Sequence, residues 1–252
     1  MEFFTPENTL ALVTLTLLEI VLGIDNIIFV SIVVSKLEAS KQHLARQLGL
    51  TLAMFMRIAL LLAISWVMGL TKPLVSVLGH TVSWRDIILL LGGMFLIGKA
   101  THEIHTKLEF DDPGSDSTIQ PTSYMSAIVQ IILLDIVFSL DSVITAVGMV
   151  KAEGDTYWYG IGIMVTAIVI AVGVMLVFAE PVSQFVSRRP TVKMLALSFL
   201  ILIGVMLVAD SVGTHIEKGY IYFAMAFALI VEALNLQVRG RPEDRARSQL
   251  MR

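Results

Sequence analysis

The sequence predicts an all-α polytopic membrane protein with seven transmembrane helices. Apolar residues make up 56% of the 252 positions. Charged residues make up only 15%, whereas soluble domains carry about 25%. The mean hydropathy is +0.81, and the apolar residues form long runs that a soluble fold of this size would leave exposed to water. A pair of similar acidic motifs within these runs further predicts an internal repeat.

Seven apolar runs have the length and the flanking charge or turn signals of membrane-spanning helices. In chain order they lie at 10–34, 48–69, 87–100, 126–150, 159–178, 194–209 and 220–236. The third and sixth runs are short, and extending each by about one helical turn places Lys99 and Asp210 within the membrane. Thr5, Pro6 and Glu7 form a favourable helix start, with a capping hydroxyl, a proline in the first turn and an acid at the positive end of the helix dipole.

The two acidic motifs share one pattern. Residues 18–26 read LEIVLGIDN and residues 134–142 read LDIVFSLDS, so Glu19 corresponds to Asp135 and Asp25 to Asp141. The motifs lie in the first and fourth predicted spans, which makes the repeat unit three helices. A unit with an odd number of helices enters the membrane from opposite sides in its two copies. We therefore expect an inverted three-plus-three helix repeat plus one extra helix, with the two motifs meeting near the midplane.

This repeat divides the chain into five predicted segments. They are a first three-helix repeat at 1–105, an acidic cytoplasmic linker at 106–122, a second three-helix repeat at 123–213, the seventh helix at 214–238 and a basic cytoplasmic tail at 239–252. If the N-terminus lies outside, twelve of the 18 Lys and Arg residues fall on the cytoplasmic side. Since basic residues in short loops stay in the cytoplasm, we expect an outside N-terminus and a cytoplasmic C-terminus in a bacterial inner membrane.

Composition also limits the chemistry. Cysteine is absent, which excludes disulfides, thiolate metal sites and thiol nucleophiles. The net charge is −3, so the chain lacks the bulk positive charge of nucleic-acid binders. We expect the lipid bilayer as a partner, no nucleic acid and no catalytic cofactor. The oligomeric state is left open.

Acids within the membrane need a compensating charge, since each costs about 2.5–3.5 kcal/mol even on insertion scales. Close antiparallel approach of the first and fourth helices would gather the carboxylates and their oxygen-bearing neighbours. The predicted metal site consists of Glu19, Asp25, Asn26, Asp135, Asp141 and Ser142. These ligand types suit divalent ions such as Mn²⁺, Ca²⁺ and Mg²⁺. A bound cation is therefore the expected substrate, and crowded carboxylates favour proton exchange when the ion leaves.

Three further charged residues are predicted to balance or couple this site. Arg57 and Lys99 can neutralise at most two of the four acids, and Asp210 competes for them. A purely structural ion pair is an alternative for Lys99 and Asp210. Arg57 is expected chiefly to counter the acids.

Two other functions remain open at this stage. Two aspartates on separate helices could activate water, as in an intramembrane aspartyl hydrolase. A non-transporting scaffold of a metal or tellurite stress-resistance complex is the other alternative. The hydrolase leaves the additional acid and the oxygen-bearing neighbour of each motif unexplained, and the scaffold predicts that Asp25 and Asp141 can lose their charge without harm. A transporter that is not an enzyme is the leading interpretation.

Four stretches resemble the TerC family of membrane proteins, within the wider group of transporters related to the lysine exporters. They are LEIVLGIDNIIFV at 18–30, LGGMFLIGKATHEIH at 91–105, IVQIILLDIVFSLDSV at 128–143 and KGYIYFAMAFALIVEALNL at 218–236. The resemblance implies the inverted repeat with an added helix and a role in metal homeostasis, chiefly manganese efflux, with a name taken from tellurite resistance. It places the acidic site on the same six residues of the two motifs.

Overall fold

The structure is a computed structural model that describes residues 5–77, 80–110, 123–150 and 157–250. Its elements are α1 (Pro6–Val34), α2 (Ala39–Leu62), α3 (Ile64–Gly69), β1 (Pro73–Val77), β2 (His80–Ser83), α4 (Trp84–Phe110), α5 (Tyr124–Val150), α6 (Tyr157–Arg188), α7 (Pro190–Ser211) and α8 (Lys218–Leu250). Within this part of the chain, 7 helices are long and apolar enough to cross a membrane. The predicted fold class, a polytopic all-α membrane protein, is confirmed.

The start of α1 follows the local chemistry of its sequence. The Thr5 side chain caps the helix, with Oγ1 accepting a hydrogen bond from the backbone N–H of Asn8 at 3.1 Å. Pro6 is the first helical residue and Glu7 lies in the first turn. Proline lacks an N–H that this position would leave unpaired, and the acid faces the positive end of the helix dipole. The predicted helix start is therefore confirmed.

The connection between the second and third spans differs from the prediction. The expected helix 48–69 is two helices, because Ala63 adopts φ −86° and ψ 24°, which ends α2 and separates it from the short α3. An antiparallel hairpin of β1 and β2 follows, with Ser76 paired to Thr81. The sequence analysis contained no strand. A hairpin this short gives a weak periodic signal beside the long apolar runs.

Two helices extend further than expected. The third predicted span is α4, which continues to Phe110 and so includes the first residues of the predicted acidic linker. Residues 111–122, the rest of that linker, lie outside the described residues. The last span is α8, which continues through the predicted basic tail to Leu250. Charged residues marked the expected ends of both runs, but a helix extends readily beyond the apolar stretch that crosses the membrane.

The helices pack in two groups. α1, α2, α5 and α6 form one group, called the core group here, while α4 and α7 pack side by side as the arm pair. α8 packs against α7, and its membrane-spanning stretch is only 11% buried. Exchanging the first three spans for the next three turns the α1–α6 contact into α5–α2 and leaves α4–α7 unchanged. This is the packing expected of two equivalent three-helix units. The segment boundaries given above remain a prediction.

Glycine allows the close crossing of the arm pair. A Cβ on Gly93 of α4 would stand 2.6 Å from the carbonyl oxygen of Gly204 of α7, and a Cβ on Gly204 would stand 2.8 Å from that of Gly93. The two backbones therefore touch directly. Small residues permit this approach between membrane helices.

Candidate functional site

A buried ion-pair cluster joins the two acidic motifs inside the core group. Arg57 of α2 lies between Glu19 of α1 and Asp135 of α5, and we call these three residues with Asn26 and Ser139 the Arg57 cluster. Arg57 Nη1 donates to Glu19 Oε2 at 2.5 Å, while Nε and Nη2 donate to Asp135 Oδ1 at 3.0 and 2.9 Å. One guanidinium thus holds the corresponding acids of both repeats.

Two neutral side chains complete the hydrogen bonding of Asp135. Ser139 Oγ donates to Asp135 Oδ2 at 3.0 Å, and Asn26 Nδ2 donates to Oδ1 at a longer 3.4 Å. Both oxygens of the carboxylate are therefore engaged. Donors around a buried carboxylate offset the loss of its hydration.

Helix periodicity explains why these side chains converge. Asp135, Ser139 and Ser142 are spaced i, i+4 and i+7 on α5, so they share one face. All three are buried, as are Glu19 and Asn26 on α1. The polar faces of two core-group helices meet here, and Arg57, only 2% exposed, closes the space between them. The cluster belongs to the protein interior and does not face lipid.

The other predicted metal ligands divide into two cases. Ser142 is buried on the same face, where its Oγ donates to the backbone carbonyl of Ser139 at 3.2 Å. The backbones of Asp25 and Asp141 belong to α1 and α5. Their side chains lie outside the described part of the structure. The four-acid arrangement therefore stays a prediction, with Glu19 and Asp135 placed together.

Lys99 and Asp210 have partners other than the four motif acids. Lys99 Nζ lies 3.3 Å from Glu103 Oε1, one turn along the same helix, and Lys36 at the end of α1 also pairs with Glu103. Asp210 accepts from Arg85 at 2.8 Å and contacts His215 at 2.9 Å. The expected competition of Asp210 for Arg57 and Lys99 is therefore absent among the described contacts, because nearer charges satisfy both residues.

Sequence reasoning missed Glu103 and Arg85 as charge partners. The pairing of Lys99 with Glu103 had a local signal, since residues four apart on a helix lie on one face. The pairing of Arg85 with Asp210 had none, because the two residues are 125 positions apart and meet only through the packing of α4 on α7.

Two small cavities adjoin the cluster. One of about 10 Å³ lies within the core group and is lined by Glu19 and apolar residues such as Leu15 and Met164. The other, of about 30 Å³, lies between the core group, α7 and α8, with Arg57 and Ser142 in its wall. Among the described side chains no group of three or more His, Asp or Glu residues is arranged to hold a metal ion. The described geometry therefore provides two of the expected carboxylates, held by a guanidinium.

The fold and this cluster define a class of protein, a multi-span helical membrane protein with a charged site in its interior. A family model described as "Integral membrane protein TerC family" matches residues 4–246. The chain belongs to the TerC family of integral membrane proteins, in agreement with the resemblance seen in its motifs.

Similar proteins are named as membrane proteins of bacteria. The chain is 56% identical to the UPF0053 inner membrane protein YgdQ of Escherichia coli K12 over 92% of its own length and 93% of that protein. It is 49% identical to a UPF0053 protein of Haemophilus influenzae, with 93% and 95% covered. Identity to the E. coli inner membrane protein YoaE is 47% over 99% of this chain, which spans only 47% of that longer protein. No solved structure matches the chain.

Proposed function

We propose that this chain is a secondary transporter that moves a divalent metal cation, with Mn²⁺ the favoured ion and Ca²⁺ the second candidate, across a bacterial inner membrane. The observation that supports it is the pairing of Glu19 and Asp135 around one buried guanidinium. The two residues hold the same place in the two repeats and come from separate helices. A site shared between inverted halves is the arrangement through which many secondary transporters expose a substrate alternately to each side.

In this proposal the cation replaces Arg57. The guanidinium and a divalent ion bind the same carboxylate oxygens, so only one of them can occupy the pair fully. The two acids carry a charge of −2 and Arg57 returns +1, so a cation that displaces the guanidinium meets both carboxylates. Asn26 and Ser139 add amide and hydroxyl oxygens beside Asp135. Oxygen ligands of this kind suit Mn²⁺, Ca²⁺ and Mg²⁺.

Arg57 also supplies an alternative to proton exchange. When the ion leaves, the guanidinium returns to the carboxylates and neutralises part of their charge without a proton from water. Asp25 and Asp141 remain the candidates for additional ligands and for proton coupling. Outward movement of manganese, and a physiological role in metal homeostasis or tellurite resistance, follow only from the family resemblance and are part of the proposal.

The decisive experiment measures Mn²⁺ flux in proteoliposomes. Glu19→Gln and Asp135→Asn keep side-chain size and hydrogen bonding but remove one charge each, and we expect at least a tenfold loss of flux in both. Glu38→Gln is the matched control, because Glu38 is an exposed acid beyond the end of α1. Gel filtration of each variant verifies folding. Unchanged flux in both site variants, with a well-folded protein, would overturn the proposal and favour a scaffold role.

A further inference from the structure

The cavity beside the Arg57 cluster connects that cluster to the one membrane helix outside the repeat. Its volume is about 30 Å³, and its wall includes Arg57 and Ser142 on one side and Lys218 and Tyr222 of α8 on the other. A space of roughly 10–15 Å³ accommodates a water molecule when polar partners surround it. The size and the polar wall therefore suit one or two waters.

The cavity runs towards one end of the bundle. Lys218 is the first residue of α8, and Tyr222 lies about one turn further along the helix. Arg57 and Ser142, both buried, mark the inner end at the ion-pair cluster. The cavity therefore spans the distance between a helix end and the proposed cation site.

The cavity also lies where the structure is least tightly joined. Leu22 of α1 lines it from the core group and Met206 lines it from α7 of the arm pair. The core group has only limited contact with α7, and α8 is attached through a small cluster formed by Phe199, Ile221 and Met225. A modest shift of α7 and α8 away from the core group would therefore widen this space.

We infer that this cavity is the closed form of a hydrated access path to the Arg57 cluster, with Tyr222 in its wall and the ammonium group of Lys218 as a charge filter at its mouth. The inference rests on the proposed function for the identity of the traveller, a hydrated divalent cation. α8 then has a role of its own, because it walls the path on one side of the membrane and has no counterpart in the repeat. A cation entering here passes one positive charge before it reaches the acids.

The path itself can be tested without transport, because the native chain has no cysteine. Ser142→Cys and Tyr222→Cys place a thiol in the cavity wall, and Ag⁺ in nanodiscs reports access of water-borne cations. Free thiols are counted afterwards with a maleimide in denaturant. Ser31→Cys is the buried control, since Ser31 is 1% exposed and outside the cavity wall. Phe223→Cys is the lipid-facing control, since Phe223 is 74% exposed and adjacent to Tyr222.

We expect Ag⁺ to block the thiols at 142 and 222 at least tenfold faster than those at 31 and 223. Equal rates at 142 and 31, or at 222 and 223, would overturn the access path whatever the protein transports. Circular dichroism and gel filtration identify misfolded variants, and Leu22→Cys, in the opposite wall, is the replacement if one fails.

The charge filter is tested by flux. Lys218→Gln removes the positive charge and should lower the KM for Mn²⁺ several-fold with little change in kcat, whereas Lys218→Arg should behave as the native chain. An identical KM in both variants would overturn the filter. Absence of any Mn²⁺ flux in the native protein would instead contradict the proposed function and leave the labelling result standing.

Discussion

At the scale of single residues, Arg57 determines the charge balance of the interior. Its guanidinium is fully desolvated and makes three hydrogen bonds to two carboxylates. Removing one partner of a buried ion pair is far more damaging than removing the whole group, because the remaining charge has neither water nor a counter-ion. The cluster therefore behaves as a unit, and its members should be changed together to learn what the charges contribute.

Arg57→Met tests this directly. The substitution keeps an extended side chain but leaves Glu19 and Asp135 facing each other, and we expect it to destabilise the folded protein by about 3–5 kcal/mol. The measurement is thermal unfolding in detergent, followed by intrinsic fluorescence.

The triple variant Glu19→Gln, Asp135→Asn, Arg57→Met is its control. Without any of the three charges, most of the lost stability should return, although Mn²⁺ flux should stay abolished. A triple variant as unstable as Arg57→Met alone would mean that packing, and not charge, dominates at this position.

The sequence was informative about this cluster because repetition marked the acids. Glu19 and Asp135 stood out as corresponding positions of two motifs, and Arg57 stood out as a lone cation in an apolar run. Which cation meets which acid was not predictable. Pairing between helices depends on the rotation of each helix about its axis, and the sequence does not specify that rotation for Arg85 and Asp210.

At the scale of helices, the apolar runs predicted the number of spans, whereas backbone detail needed the structure. Length and hydropathy are direct consequences of bilayer thickness, so all seven spans could be placed. The break at Ala63 and the hairpin after α3 lie where the chain turns back, and short local contacts determine the conformation there. The crossing of α4 and α7 is a further feature that composition alone does not specify.

Gly93→Ala should separate that crossing. The added methyl meets the carbonyl oxygen of Gly204, which belongs to backbone and cannot rotate away. We expect a loss of about 1–3 kcal/mol from overpacking, seen as a lower unfolding temperature.

Gly98→Ala on the same helix is the matched control. A Cβ at Gly98 would meet nothing within 4 Å. Alanine favours a helix interior by about 1 kcal/mol over glycine, so this variant should be neutral or slightly stabilised. Equal destabilisation of both variants would contradict the close crossing.

At the scale of the whole molecule, the core group and the arm pair form two bodies with few contacts between them. The Glu103 ion pairs span this gap at one end, since Lys36 follows α1 in the core group and Glu103 belongs to α4. Glu103 is buried, so the interaction is less screened by solvent than a surface pair. A charged contact of this kind is well placed to hold the two bodies together in the conformation described.

Glu103→Gln should loosen that end of the molecule. Lys36 loses its counter-ion, and we expect backbone amides around 34–38 and at the end of α4 to exchange hydrogen at least several-fold faster, as measured by mass spectrometry. Glu38→Gln is the control, because its pair with Lys41 is exposed on both sides and surface pairs contribute little. Exchange rates unchanged by Glu103→Gln would show that apolar packing alone joins the two bodies at this end.

The single guanidinium also makes the two halves unequal. The motif offset that relates Glu19 to Asp135 relates Arg57 to Gly173, which has no side chain to offer. A carrier built from matched halves would face either side with the same energy when empty, but here only one half brings a tethered positive charge to the shared acids. We expect the unloaded protein to rest facing one compartment, so that its preferred direction is already encoded in the asymmetry of a symmetric design.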